Sequence, residues 1–191
     1  MKSKDSGRRL SRNSDLRRRD FLRLGAAVSA SLLASPLLAK ANSSHERVLR
    51  FQNTHTGEAV SSVYWADGDY VNDGLATIDS VLRDHRTDEI YSMDTQLLDL
   101  LFLLQSKTDS SKAYEVISAY RSPATNQALR SKSSGVAKRS YHMRGMAIDV
   151  RLPGYDLKQL QLAALDLKAG GVGYYPESGF IHVDVGPARS W

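Results

Sequence analysis

The chain of 191 residues carries 26 Lys and Arg against 21 Asp and Glu, a formal net charge of +5, and is 41% hydrophobic; its length and apolar content suit one globular domain. It has no cysteine, which excludes disulfides, thiolate metal sites and thiol nucleophiles and leaves His, Asp, Glu, Ser and Tyr to carry any chemistry. The excess positive charge does not point to a nucleic-acid partner, because ten basic and three acidic residues fall in residues 1–41, leaving 16 basic against 18 acidic in 42–191.

The stretch "LRRRDFLRLGAAVSASLLASPLLAKA" has a basic front, an apolar centre from Leu24 to Leu38, and small residues Ala39 and Ala41 where a signal peptidase would cut. Arg18-Arg19-Asp20-Phe21-Leu22 resembles the twin-arginine export signal of bacteria. The apolar run is shorter than the roughly 20 residues of a spanning helix, so no stable membrane span is expected after processing. Residues 1–41 therefore read as an export leader cut after about Ala41. Residues 42–191 read as the mature domain, delivered to the periplasm by the twin-arginine translocation machinery.

After a short polar linker, "VLRFQN" and "EAVSSVYW" read as strands of a hairpin around "THTG". "YVNDGLATIDSVLRDHR" sets Leu75, Ile78 and Leu82 at helical spacing, and "MDTQLLDLLFLLQSK" does the same with Leu97, Leu98, Leu101 and Leu104 behind a capping Asp94. "AYEVISAYRSP" alternates as a strand ending near Arg121, and Pro123 opens a helix through "ATNQALRSKS". "SSGVAKRS" is a basic loop. "GMAIDVRL" and "GFIHVDVG" are the last strands, separated by a helix that starts near Asp156 and stops at Gly170 and Gly171. Helices before and between a few strands imply an α+β domain, a small antiparallel sheet with flanking helices.

Strand alternation sends Ile148 and Val150 toward the core and Ala147, Asp149 and Arg151 to the opposite face; in the last strand Ile181, Val183 and Val185 point inward while Phe180, His182 and Asp184 share the other side. As neighbours, these strands would offer His182, Asp184 and Asp149 together, with His142 reaching them from a loop turned at Gly145. Two imidazoles and one carboxylate with an open fourth position are the ligand type of a catalytic Zn²⁺. Taken singly, His142 also reads as a loop residue, His182 as a satisfied strand histidine and Asp149 as a surface ion-pair partner. His45, His55 and His85 have no ligand partner at useful spacing.

"SYHMRGMAIDV" matches the S-x-H-x-x-G-x-A-x-D signature of the M15-type zinc peptidases. More closely, "NTHTGE", "ISAYRSPATN", "SGVAKRSYH", "GGVGYYP" and "FIHVDVGPARSW" together resemble the MepK-like (YcbK-like) family of exported murein endopeptidases across most of residues 47–191. The resemblance implies an M15-peptidase fold of the hedgehog/DD-peptidase type. It implies one Zn²⁺ per chain on His142, Asp149 and His182, and peptidoglycan as substrate. It further implies cleavage of peptide cross-links that involve meso-diaminopimelate, the direct 3-3 type first and the 4-3 type second, in cell-wall growth or remodelling.

Arg121, in "YRSPATN", matches the arginine that steadies the oxyanion in these peptidases, a task suited to a permanently charged planar group. The family's acidic residue three positions before the last histidine, or histidine two before it, is replaced here by Gly179 or Phe180. Asp184 is then the candidate to take the proton of the metal-bound water, with orientation of the His182 ring as its competing role; Glu177 is a weaker candidate. Asn126, Ser140 and Tyr175 are placed at the substrate cleft, and Lys132, Lys138, Arg139 and Arg144 form a cationic loop that could attract anionic peptide stems. A non-catalytic peptidoglycan-binding module and a D-Ala-D-Ala carboxypeptidase are the alternatives.

Overall fold

The computed structural model of the protein describes residues 45–133 and 135–191. The expected export leader lies outside the described residues. In chain order the strands are β1 (Arg47–Asn53), β2 (Ala59–Ala66), β3 (Asp69–Tyr70), β4 (Tyr114–Ser118), β5 (Ala147–Arg151), β6 (Gly171–Tyr175), β7 (Phe180–Asp184) and β8 (Arg189–Ser190). Among the described residues the helices are α1 (Asn72–Val81), α2 (Thr95–Lys107), α3 (Pro123–Arg130) and α4 (Leu157–Leu167), with a 3₁₀ turn at Tyr141–Arg144.

All eight strands join one sheet in the order β3-β2-β1-β4-β5-β7-β6-β8. The sheet is mixed and larger than the small antiparallel one expected from sequence, because β1 pairs with β4 and β6 with β8 in parallel. Parallel neighbours need a long crossover. The first is supplied by α1 and α2, which lie between β1 and β4 in the chain. Three strands had no sequence reading: β3 and β8 are two residues long, and β6 begins at the Gly171 that reads as a helix stop.

The helices form where periodicity and caps agree. The Asp94 side chain accepts from Gln96 N at 2.9 Å and Asp156 from Gln159 N at 2.9 Å. Ser122, ahead of Pro123, accepts from Thr125 N at 3.2 Å. Each satisfies a backbone donor that a helix start would leave open. α1 packs on β1 and β2, and α4 on β6 and β7, with Leu97, Leu98, Leu101 and Leu104 of α2 buried against Leu49, Phe51, Tyr64 and Tyr114. Burial of one such leucine stabilises the fold by about 1.5–3 kcal/mol.

The expected alternation holds in the two strands that matter most. Ile148, Val150, Ile181 and Val183 enter this core, while Asp149 and His182 emerge on the opposite face as directly opposed partners of the antiparallel β5–β7 pair. That face is not open to solvent, for Ala147, Asp149, His182 and Asp184 are all buried. No helix among the described residues is long and apolar enough to cross a membrane.

Candidate metal centre

His142 is delivered by the 3₁₀ turn. Its N-cap residue Ser140 accepts from His142 N at 3.3 Å, and Gly145 ends the turn in the left-handed region with φ 65°. A Cβ at Gly145 would run into the Ser92 carbonyl, so this position combines a conformation and a close approach that only glycine meets without strain. Asp149 and His182 come from facing positions of β5 and β7, where side chains of opposed residues are close enough to touch.

Three atoms converge. His142 Nε2 is 3.2 Å from His182 Nδ1, His182 Nδ1 is 2.8 Å from Asp149 Oδ1, and His142 Nε2 is 3.4 Å from Asp149 Oδ1. The outward nitrogens define what these atoms carry. His142 Nδ1 faces the Ala119 carbonyl at 2.7 Å and His182 Nε2 faces Asp184 Oδ2 at 3.0 Å. Both partners only accept, so in the neutral rings those outward nitrogens hold the protons and the inward pair hold lone pairs. Two lone pairs and a carboxylate oxygen turned on one another form a repulsive set that a cation resolves. Ligands at ~2.0–2.1 Å from a tetrahedral centre stand about 3.3 Å apart, and the observed triangle has sides of that order. The donor set therefore fits a divalent metal ion, and it is the only such group among the described residues.

The charges agree. Burial alone would raise the Asp149 carboxyl, but His142 and His182 hold it well below the usual carboxylate range. Burial lowers the His182 imidazole, yet Asp149 and Asp184 raise it on balance. Arg121 stands on the same side, its Nη2 3.9 Å from Asp149 Oδ2, with weak bonds to Asn126 Oδ1 (3.4 Å) and Ser118 Oγ (3.3 Å). Its Nε is buried with no hydrogen-bond partner among the described residues. The guanidinium is placed by its backbone: Arg121 N donates to the His142 carbonyl at 3.2 Å, and the next amide, Ser122 N, to Asp84 Oδ2 at 2.9 Å. A buried cation with spare donors beside the triangle can receive an anionic oxygen.

The triangle opens into a cleft of about 560 Å³, lined by Arg121, Arg139, Tyr141, Tyr175, Phe180 and Trp191 among others. Tyr175 lies there as expected, stacked on Phe180 at 4.8 Å and accepting from Trp191 Nε1 at 2.7 Å. Ser140 also lines it, although its hydroxyl oxygen is engaged by His142 N. Arg139 of the cationic loop reaches the cleft; Lys132, Lys138 and Arg144 do not.

Asn126 is placed away from the cleft, and the surroundings of Asp184 favour one of its two expected roles. Asn126 is buried behind Arg121, where its Nδ2 donates to the Ala137 carbonyl at 3.2 Å; it ties Arg121 to the rim loop and does not line the cleft. Asp184 shares the His182 face but is fully buried, and its two oxygens accept from Gly171 N, Gly186 N, Arg189 and His182. A carboxylate so occupied fits the orienting of the His182 ring better than the taking of a water proton. Glu177 is exposed in a turn and outside the cleft lining. His55 and His85 stack on each other at 3.9 Å, apart from the metal group, and His45 is exposed near the start of β1. Sequence reading missed Trp191 and Arg189 as cleft residues, their only signal being membership of the "FIHVDVGPARSW" motif, and it put Phe180 on the His182 face without assigning it to the cleft.

A family profile described as "Peptidoglycan L,D-endopeptidase MepK" matches residues 41–191. The chain is 42% identical over 178 residues to "Peptidoglycan L,D-endopeptidase MepK" of Escherichia coli (strain K12), covering 93% of this chain and 98% of that protein, and equally similar to the protein of that name from Shigella flexneri. It is 40% identical over 179 residues to the "Probable peptidoglycan L,D-endopeptidase MepK" of Haemophilus influenzae, covering 93% and 96%. No solved structure matches it. With the profile spanning every described element and relatives alike over nearly their whole length, the chain belongs to the MepK family of M15-type peptidases.

Proposed function

We propose that the protein is a zinc-dependent peptidoglycan endopeptidase of the periplasm, with a leader at residues 1–41 that directs export by the twin-arginine route and a peptidase domain at 42–191. The substrate reading rests on the activity for which its relatives are named. The observation that carries the chemistry is the triangle of His142 Nε2, His182 Nδ1 and Asp149 Oδ1, with the Arg121 guanidinium beside it. The bonds cleaved are cross-links involving meso-diaminopimelate, the direct 3-3 type first and the 4-3 type second, during wall growth or remodelling.

A zinc ion bound by these three ligands would supply Lewis acidity to activate a water and polarise a carbonyl. The chain's own groups do the rest. Ala119 and Asp184 fix the two imidazoles with their lone pairs inward. Arg121 offers the Nη groups that make only long bonds, at 3.4 and 3.3 Å, to the negative oxygen that develops as the amide carbonyl is attacked. Tyr175, Phe180 and Trp191 form an aromatic wall that limits water around the reacting peptide. With Asp184 committed to His182, Asp149 is the only carboxylate residue lining the cleft among the described residues.

The test is digestion of purified sacculi with the purified protein and analysis of the muropeptides released. Cross-linked dimers are expected to become monomers, the activity to vanish with chelator and to return with Zn²⁺. Full activity in protein shown to contain no metal would overturn the mechanism, and trimming of terminal D-Ala without loss of cross-links would overturn the endopeptidase assignment.

A further inference from the structure

The carboxylate behind the His182 ring is itself gripped from the other side. Arg189 directs Nη2 to Asp184 Oδ2 at 2.6 Å and Nη1 to Asp184 Oδ1 at 3.0 Å. Gly171 N and Gly186 N add donors to Oδ1 at 3.2 and 2.8 Å, and His182 Nε2 lies 3.0 Å from Oδ2. The guanidinium carbon lies 5.4 Å from the centre of the Tyr141 ring and 4.9 Å from that of Trp191, within reach of both aromatic faces.

The backbone leaves room for this cluster. A Cβ on Gly171 would stand 2.5 Å from Arg189 Nη1 and 2.6 Å from Asp184 Oδ2; one on Gly173 would stand 2.7 Å from the Trp191 indole, and one on Gly186 2.7 Å from the Tyr141 ring. Real side chains do not approach so closely, so three glycines clear the volume that Arg189 and its two aromatic neighbours fill. The glycines of β6, which weaken it as a strand, are accounted for by what lies on them.

Burial of a whole carboxylate is costly unless a charge faces it, and Arg189 is the cation that meets both oxygens of Asp184. An anionic Asp184 can only accept, which keeps the proton of His182 on Nε2 and the lone pair on Nδ1, turned to His142 Nε2 and Asp149 Oδ1. An Asp184 released from Arg189 can rotate, and the ring then loses the partner that fixes its orientation.

We propose that Arg189 is a positioning residue of the metal centre: by gripping Asp184 from behind it fixes the His182 ring, so that affinity for a divalent cation depends on a side chain outside the three ligands. The inference rests on the metal-site reading above and not on the identity of the substrate. It also has a definite sign. If only charge mattered, removal of a nearby cation would tighten the binding of Zn²⁺; if positioning dominates, removal loosens it.

The measurement is the Zn²⁺ dissociation constant of the purified protein by competition with a chromogenic chelator, together with the visible absorption of the Co²⁺ form, for wild type, Arg189→Met and Arg189→Lys. Arg189→Met is expected to weaken Zn²⁺ by about 10–100-fold, the range for losing a group that orients a ligand, and to alter the Co²⁺ bands. Arg189→Lys is expected to weaken it by less, because one ammonium cannot span two carboxylate oxygens as a guanidinium does. Equal or tighter Zn²⁺ binding by Arg189→Met with an unchanged Co²⁺ spectrum overturns the proposal. Where Arg189→Met does not fold, as judged by the thermal transition of the metal-free protein, Arg189→Lys is read on the same scale and wild-type affinity overturns it. Failure of the wild type to bind Zn²⁺ stoichiometrically would instead remove the metal-site reading beneath it.

Discussion

Asp149 and His182 sit directly opposite each other on β5 and β7, and the register that pairs them brings Oδ1 to 2.8 Å from Nδ1. Because strand side chains alternate with period two, a slip of one residue would send both into the hydrophobic core and bring Ile148 or Val183 to the cleft. The candidate metal centre is thus a property of the sheet, completed by one 3₁₀ turn. Asp149→Asn keeps the shape and hydrogen-bonding size but removes the anion of the ligand set. Metal content measured after gel filtration is expected to fall well below one ion per chain. Release of muropeptides is expected to fall by about two orders of magnitude or more, since the anion both binds the ion and balances its charge.

Arg121 is expected to behave differently. It is not a ligand, and its distance of 3.9 Å from Asp149 Oδ2 leaves its donors for the substrate. Arg121→Lys retains a positive charge but not the planar pair of donors, so the loss should appear in the chemical step. The expected outcome is full metal content, KM changed by a few-fold at most, and kcat lower by about 10²–10³-fold, as for removal of an oxyanion donor. Steady-state kinetics on a defined cross-linked muropeptide, with metal analysis of the same sample, checks both halves.

These predictions separate what local pattern encodes from what it does not. The helical stripe Leu97, Leu98, Leu101 and Leu104 and the alternation around Asp149 and His182 are local and periodic, so both were legible, and with them the shared face of Asp149 and His182. The parallel pairing of β1 with β4 depends on contacts between residues such as Phe51 and Tyr114, far apart in the chain, and no short-range pattern carries it. β6 is too rich in glycine to read as a strand, since its glycines answer to Arg189 and Trp191 and not to its own propensity. The choice between the two roles of Asp184 was open for the same reason: alternation puts it on the His182 face, but only tertiary structure shows Arg189 occupying its oxygens. Asn126 follows Arg121 closely in sequence, yet it is a buried tether because α3 turns it inward.

Asp84 links acid stability to the site. Burial would raise its carboxyl, but hydrogen bonds from Thr125, Ser122 and Arg86 more than offset this and lower it from 3.8 to about 2. A group whose folded-state pKa is depressed adds stability above its unfolded value, and that contribution is lost as pH falls through the folded one. Asp84 therefore stabilises the fold fully above about pH 4, and the gain fades toward pH 2. Asp84→Asn is expected to lower the urea midpoint at pH 7 and to flatten the decline in stability between pH 4 and pH 2 relative to wild type. Because Asp84 also holds Ser122 N next to Arg121, kcat should fall in the same variant while metal content stays at one per chain. Parallel urea titrations across this pH range test the linkage.

Gly145 joins the candidate ligand His142 to the helical layer. Its N–H approaches the His142 carbonyl at 3.4 Å and its own carbonyl accepts from Asp94 N, the N-cap of α2, at 2.9 Å. The turn that presents His142 is therefore fastened to the start of the helix that builds much of the core. A methyl group at this position meets two penalties together, a left-handed φ of 65° and collision with the Ser92 carbonyl. Gly145→Ala is expected to destabilise the metal-free protein by about 1–3 kcal/mol, the cost of a strained backbone position. The shift needed to relieve the collision moves His142 relative to His182, so the stabilisation added by saturating Zn²⁺ should also shrink. Thermal melts with and without Zn²⁺ resolve the two effects: a lower midpoint in both conditions reports the strain, and a smaller separation between them reports the displaced ligand. An unchanged separation would mean that the 3₁₀ turn absorbs the methyl group without moving the imidazole, and that His142 is placed by its bond to the Ala119 carbonyl and not by the turn.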